Sequence, residues 1–176
     1  MIMQPFHEVC PHPGTDEYRS ITLTDDAPAG SESQLVRGSY GFAECFCADR
    51  KCDCRRVQLV VFLNTNRRPL ASISYGFDRD EPMCGPFLDP LNPQSEYAEE
   101  LLAMAKHFLL SDAAYVARLE RHYRMFKQAI GAKFVPKSVT VLTPEEVQER
   151  IANRKQARKL LTRKLRQLAT SHRRSR

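Results

Sequence analysis

The chain has 176 residues, 42% of them hydrophobic, which suffices for one domain with a core of its own and an appended arm. No apolar run approaches the ~18–20 residues that cross a bilayer. Residues 1–9 lack the basic start and apolar centre of a signal peptide, so a cytoplasmic protein without a membrane span is expected. The net charge of +6 is unevenly spread: residues 1–117 hold 10 Lys/Arg and 17 Asp/Glu (−7), whereas residues 118–176 hold 17 and 4 (+13).

Residues 1–17, rich in proline, histidine and acid, read as a flexible N-terminal segment. Residues 18–142 read as the folded domain. Apolar, β-branched runs at 34–46, 56–64 and 70–77 predict a three-stranded antiparallel meander, joined by a short strand over 18–24. Thr65 to Pro69 would connect the last two strands. Ser-Tyr-Gly-Phe occurs at both 39–42 and 74–77, and its glycines are candidate bulges. A proline-rich loop over 84–93 leads into a helix that Asn92 and Pro93 are suited to start, with Tyr97, Leu101, Met104 and Phe108 as its stripe. Ser111-Asp112 restarts a second helix with Tyr115, Leu119, His122 or Tyr123, Phe126 and Ile130 facing the core, and Gly131 is placed to end it. His107 and His122 read as packed or solvated residues rather than ligands.

After a candidate strand at 138–142, Thr143-Pro144-Glu145-Glu146 forms a capping box that opens a helix to about residue 169. Val147, Ile151, Ala157, Leu161, Leu165 and Leu168 lie along one side, and Arg154 and Arg158 fall within that stripe. A docked helix would not bury two unpaired guanidinium groups. Residues 143–176 are therefore expected to pack by their first turns and otherwise to project as a basic helix and tail. From Arg150 onward there are 11 basic residues and no acid, which points to a polyanionic partner.

Four of the six cysteines fall in the ten residues C-F-C-A-D-R-K-C-D-C, Cys45 to Cys54. Residues two apart in a strand share a face, so Cys45 and Cys47 would oppose Cys52 and Cys54 across a hairpin loop at 48–51. That arrangement offers a tetrahedral Zn²⁺ clip, with Arg50, Lys51, Arg55 and Arg56 as cationic neighbours that favour thiolate. The C-x-C spacing is tighter than common zinc clips, so the fourth ligand stays open among Cys45, Cys84, Cys10 and His12. A metal-free cluster, a thiol-redox role and a disulfide are the alternatives. Reducing cytosol disfavours the disulfide, and no C-x-x-C opens a helix as redox chemistry would want.

Residues 47–57, the stretch Ala71 to Phe77, Leu88 to Ser95 and Arg121 to Lys127 together resemble bacterial zinc-chelation-type proteins associated with the SEC-C motif. The resemblance spans roughly residues 35–127, and the C-x4-C-D-C-R-R stretch is its most specific part. It implies a cytoplasmic metal-binding domain and, carried over by residue, selects Cys47, Cys52 and Cys54, with Cys45 as one contender for the fourth place. The terminal C-x-C-x-S-G run of that family is absent and a basic arm stands there instead.

The expectation is an α+β protein: a small three- to four-stranded antiparallel sheet with a zinc-clipped hairpin, a helical half, and a projecting basic C-terminal helix. Zinc would be structural. Arg150, Arg154, Lys155, Arg158, Lys159, Arg163, Lys164 and Arg166 would contact the phosphates of a nucleic acid or nucleoprotein. The rival is a protein–protein adaptor whose Leu160, Leu161, Leu165 and Leu168 dock on an acidic partner. No enzyme is expected, because no nucleophile is paired with a base and the acids lack metal-centre spacing. Neither a membrane nor a small-molecule substrate is indicated.

Overall fold

The computed structural model describes residues 2–24, 33–78 and 83–132. The β-branched and aromatic runs form strands β1 (Met3–Pro5), β2 (Arg19–Leu23), β3 (Gly38–Cys47), β4 (Arg56–Leu63), β5 (Asn66–Gly76) and β6 (Phe87–Leu88). Two short turns, α1 (Phe6–Val9) and α2 (Pro11–Gly14), and two longer helices, α3 (Ala98–Phe108) and α4 (Ala113–Ala129), complete the described elements. The class is α+β. Among the described residues no helix is long and apolar enough to cross a membrane.

All strand pairs are antiparallel, and β3, β4, β5 and β6 follow one another as a meander. On its other edge β3 takes two short strands end to end: β2 along Gly38 to Phe42 and β1 along Cys45 to Cys47. The sheet thus has six strands rather than three or four. The additional ones, β1 with its proline and the two-residue β6, are too short to show an alternating pattern.

The N-terminal segment is likewise more ordered than its composition suggests. Pairing of β1 with β3 draws it in, and Phe6 is buried against Phe46 and stacked on His122 at 4.2 Å between ring centres. Between β4 and β5 the ladder absorbs most of the expected 65–69 loop. Register shifts between Val61 and Leu63 set Pro69 opposite Phe62, where an irregular rung accommodates a residue without an N–H. Gly41 marks a close approach instead of a bulge: a Cβ there would stand 1.7 Å from the Tyr18 hydroxyl oxygen.

One sheet face carries Phe42 and Phe46 of β3, Val57, Leu59 and Val61 of β4, and Ala71 and Ile73 of β5, all buried in the hydrophobic core with residues of α3 and α4. Helix α3 begins at Ala98 instead of Asn92. The preceding residues serve the sheet edge: Gln94 accepts from Ser72 N (3.0 Å) and donates to Ser72 O (3.2 Å), as another strand would. Leu101, Leu102, Met104 and Ala105 are its buried side, while Phe108 is 58% exposed. Helix α4 starts where expected, with Asp112 Oδ1 accepting from Ala114 N at 2.8 Å. It ends at Gly131, whose φ of +68° suits glycine. Its buried face repeats at helical spacing: Tyr115, Arg118 and Leu119, His122 and Tyr123, Phe126 and Lys127. The candidate strand at 138–142, the capping box and the basic helix lie outside the described residues.

Three of those α4 residues are polar, and two join a network with β3. His122 Nδ1 lies 2.6 Å from Glu44 Oε2, and its Nε2 lies 3.2 Å from Glu17 Oε2. Arg118 Nη2 is 3.5 Å from Glu44 Oε1, and Arg121 reaches Glu17. Glu44, Arg118 and His122 are all buried. Removing one member of a buried ionic group leaves the others desolvated and uncompensated, at a cost of roughly 3–5 kcal/mol. Glu44→Gln is therefore expected to lower unfolding free energy by ~3 kcal/mol, read as a reduced denaturation midpoint in urea. A loss below about 1 kcal/mol would show that the network is not a stabilising element.

Candidate metal centre

Strand β3 ends at Cys47 and β4 begins at Arg56, so residues 48–55 form a loop. Its first turn is closed by Lys51 N donating to Asp49 Oδ1 (2.8 Å) and Cys52 N donating to Asp49 O (3.3 Å). At its far end Arg55 adopts φ +44°, a left-handed conformation uncommon outside glycine, and turns the chain into β4. Between these turns the thiol sulfurs of Cys47, Cys52 and Cys54 converge to within 4.8 Å of one another. Among the described residues no other group of three His, Cys, Asp or Glu side chains converges in this way. Three close cysteines could hold a metal ion.

Cys47 is buried, whereas Cys52 and Cys54 are half-buried. Burial, followed by the neighbouring Cys47 and Cys52, pushes the Cys54 thiol up to about 12, and the charge of Lys127 acts in the opposite sense. Crowded, desolvated thiols resist ionisation, and a bound cation relieves that resistance by replacing their protons.

The paired arrangement expected across a hairpin is not what forms. Cys52 and Cys54 belong to the loop, so strand alternation does not apply to them. Cys45 stands opposite Gln58 on the last β3–β4 rung, while Cys47 lies beyond it where the loop folds back. Cys45 does not join the sulfur cluster. Burial, then the charges of Glu8 and Glu44, push its thiol up to about 12. None of the other contenders for the fourth place is among the side chains that converge within 4.8 Å. Cys10 borders a groove with Val9 and Met125, and the His12 side chain is 86% exposed beside Asp16. Cys84 lies in a turn whose carbonyl accepts from Gly76 N at 2.6 Å.

Helix α4 holds the loop from the core side through two residues one turn apart. The Lys127 ammonium, wholly buried, donates to the carbonyls of Cys47 (2.7 Å), Asp49 (2.9 Å) and Cys52 (2.8 Å). Tyr123 donates to Asp53 Oδ1 (2.6 Å) and accepts from Arg55 N (3.4 Å). Neither role was legible from the sequence. Lys127 stands beside Phe126 in the helical pattern, and that adjacency was the only signal that it too faces inward. The expected cationic rim is half engaged in the fold: Arg55 pairs with Asp78 (3.0 Å), and Arg56 donates to Ser74 Oγ (2.8 Å) and Met83 O (2.6 Å). Arg50 and Lys51 are exposed. Arg150, Arg154, Lys155, Arg158, Lys159, Arg163, Lys164 and Arg166 lie outside the described residues.

No family model matches the chain, and neither a curated protein nor a solved structure matches it significantly.

The cysteines are thus unequal. Cys47→Ser, Cys52→Ser and Cys54→Ser are each expected to abolish or strongly weaken divalent-metal binding, and Cys45→Ser to retain it, in native mass spectrometry of zinc-loaded protein. Loss of the ion in Cys45→Ser alone would contradict the three-sulfur assignment.

Proposed function

We propose that the protein is a zinc-stabilised, cytoplasmic accessory protein that binds nucleic acid or a nucleoprotein through its basic C-terminal segment. The observation that carries the zinc part is the convergence of Cys47, Cys52 and Cys54 within 4.8 Å. Zinc–sulfur bonds of ~2.3 Å in a tetrahedral site set sulfurs about 3.8 Å apart, so a small contraction brings these three into range. Three sulfurs completed by a fourth donor would make the closed, sulfur-rich set of a structural ion that ties the β3–β4 connection, and the likeness to zinc-chelation-type proteins points the same way.

The nucleic-acid part rests on charge. A segment with 11 basic residues and no acid from Arg150 onward is an electrostatic match for a phosphate backbone. Such contacts give affinity without reading sequence, so selectivity would come from the shape of the nucleic acid or from an accompanying protein.

Binding of the full chain to RNA or duplex DNA should weaken steeply with salt. With about six to ten phosphates neutralised, affinity is expected to fall on the order of 10³–10⁵-fold between 50 and 200 mM salt. A flat salt response, or no binding at the lower salt, would reject the nucleic-acid reading. A protein partner that co-purifies after nuclease treatment would favour the adaptor reading in its place.

A further inference from the structure

Lysine is almost never fully buried without dedicated partners, yet Lys127 is 0% exposed and directs its ammonium at one short loop. Its Nζ carries three protons, and carbonyls at 2.7, 2.9 and 2.8 Å receive them. Two of those carbonyls belong to Cys47 and Cys52, whose thiols are in the sulfur cluster. The third, Asp49, closes the turn between them. Fixing a cysteine's carbonyl limits the directions in which its Cα–Cβ bond can point. The ammonium therefore constrains the backbone from which two of the three sulfurs project.

Charge supplies a second, independent reason. Three thiolates and a divalent cation sum to −1, and an anionic centre with one buried and two half-buried sulfurs is partly desolvated and favours a cation close by. Lys127 brings +1 to the same loop.

We propose that Lys127 is the positioning residue of the three-cysteine site: it holds the loop in the metal-binding shape and compensates the charge of the thiolate–metal centre. The inference rests on the metal reading of Cys47, Cys52 and Cys54 and gives it a determinant outside the cysteine stretch. Partners that orient metal ligands typically contribute 10–100-fold to affinity.

The test is titration of the full-length protein with Co²⁺, whose thiolate charge-transfer absorption reports sulfur coordination, followed by displacement with Zn²⁺. Lys127→Met keeps the unbranched stem of the side chain and removes the ammonium with its charge and donors. It should bind Co²⁺ about 10–100-fold more weakly than wild type, with an altered charge-transfer band. Glu44→Gln, which weakens the fold away from the loop, should bind as wild type does. It separates a positioning role from general destabilisation. Lys127→Arg keeps a cation but cannot converge three N–H bonds on these carbonyls, and should fall between the two. If Lys127→Met does not fold, Lys127→Arg decides, and wild-type affinity with an unaltered band would overturn the proposal. The proposal is equally overturned if Lys127→Met loses no more affinity than Glu44→Gln. A wild-type protein that takes up neither ion refutes the metal reading itself, and the inference with it.

Discussion

A buried ammonium that bonds only to side chains would hold those side chains; one that bonds to backbone carbonyls holds the course of the chain. Lys127 does the latter for the loop between β3 and β4. Moving an ammonium out of water costs several kcal/mol, and a charge-assisted hydrogen bond returns about 1.5–3 kcal/mol. Three such bonds are of the size needed to offset the transfer. The Cys47 and Cys52 carbonyls lie beyond the last β3–β4 rung, where β4 does not pair with them, while Asp49 O also accepts from Cys52 N. Cation and loop each satisfy what burial would make unfavourable in the other.

Helix α4 carries two polar devices on one buried face, and they act at different places. Arg118 and His122 meet Glu44 inside the β3 ladder and Glu17 from the N-terminal segment. Tyr123 and Lys127, on the same helix, reach past the ladder's end to the cysteine loop. Phe126 and the Tyr123 ring pack on Phe46 between them, so an aromatic layer separates the two polar groups. This division matters for energetics. A change in the Glu44 network lowers overall stability while the aromatic layer keeps Tyr123 and Lys127 seated, whereas a change at Lys127 releases one loop.

Much of the scaffold was legible because it obeys local rules. The runs that became β3, β4 and β5 are rich in β-branched and aromatic residues, Asp112 caps α4 with its own side chain, and Gly131 takes the positive φ that ends it. What escaped depends on partners distant in sequence. Met3–Pro5 has no strand pattern of its own and pairs only because β3 presents a free edge opposite Cys45 to Cys47. A lysine in a helix normally reads as solvated, and nothing near Lys127 in the sequence announces three carbonyls 75 to 80 residues upstream. The cysteines were visible as a group, but their ranking was not. Strand alternation fails where the chain leaves the ladder, which frees Cys52 and Cys54 to turn toward Cys47 and leaves Cys45 on its rung.

Three separate parts of the chain fix points on that loop. Ile2 O accepts from Ala48 N, and Lys127 takes the carbonyls of Cys47, Asp49 and Cys52. Tyr123 engages Asp53 and Arg55, and Phe77 N with Asp78 secures Arg55 again. Ordering a residue costs about 1–2 kcal/mol of backbone entropy, and a loop pinned this often has lost most of it before any ion arrives. In small zinc modules, metal binding must also supply the folding free energy, and the apo chain is unfolded. Here a six-stranded sheet and α4 shape the loop beforehand, so little of an ion's binding free energy would be spent on ordering the chain. A metal at Cys47, Cys52 and Cys54 would then lock a connection that the fold has already drawn.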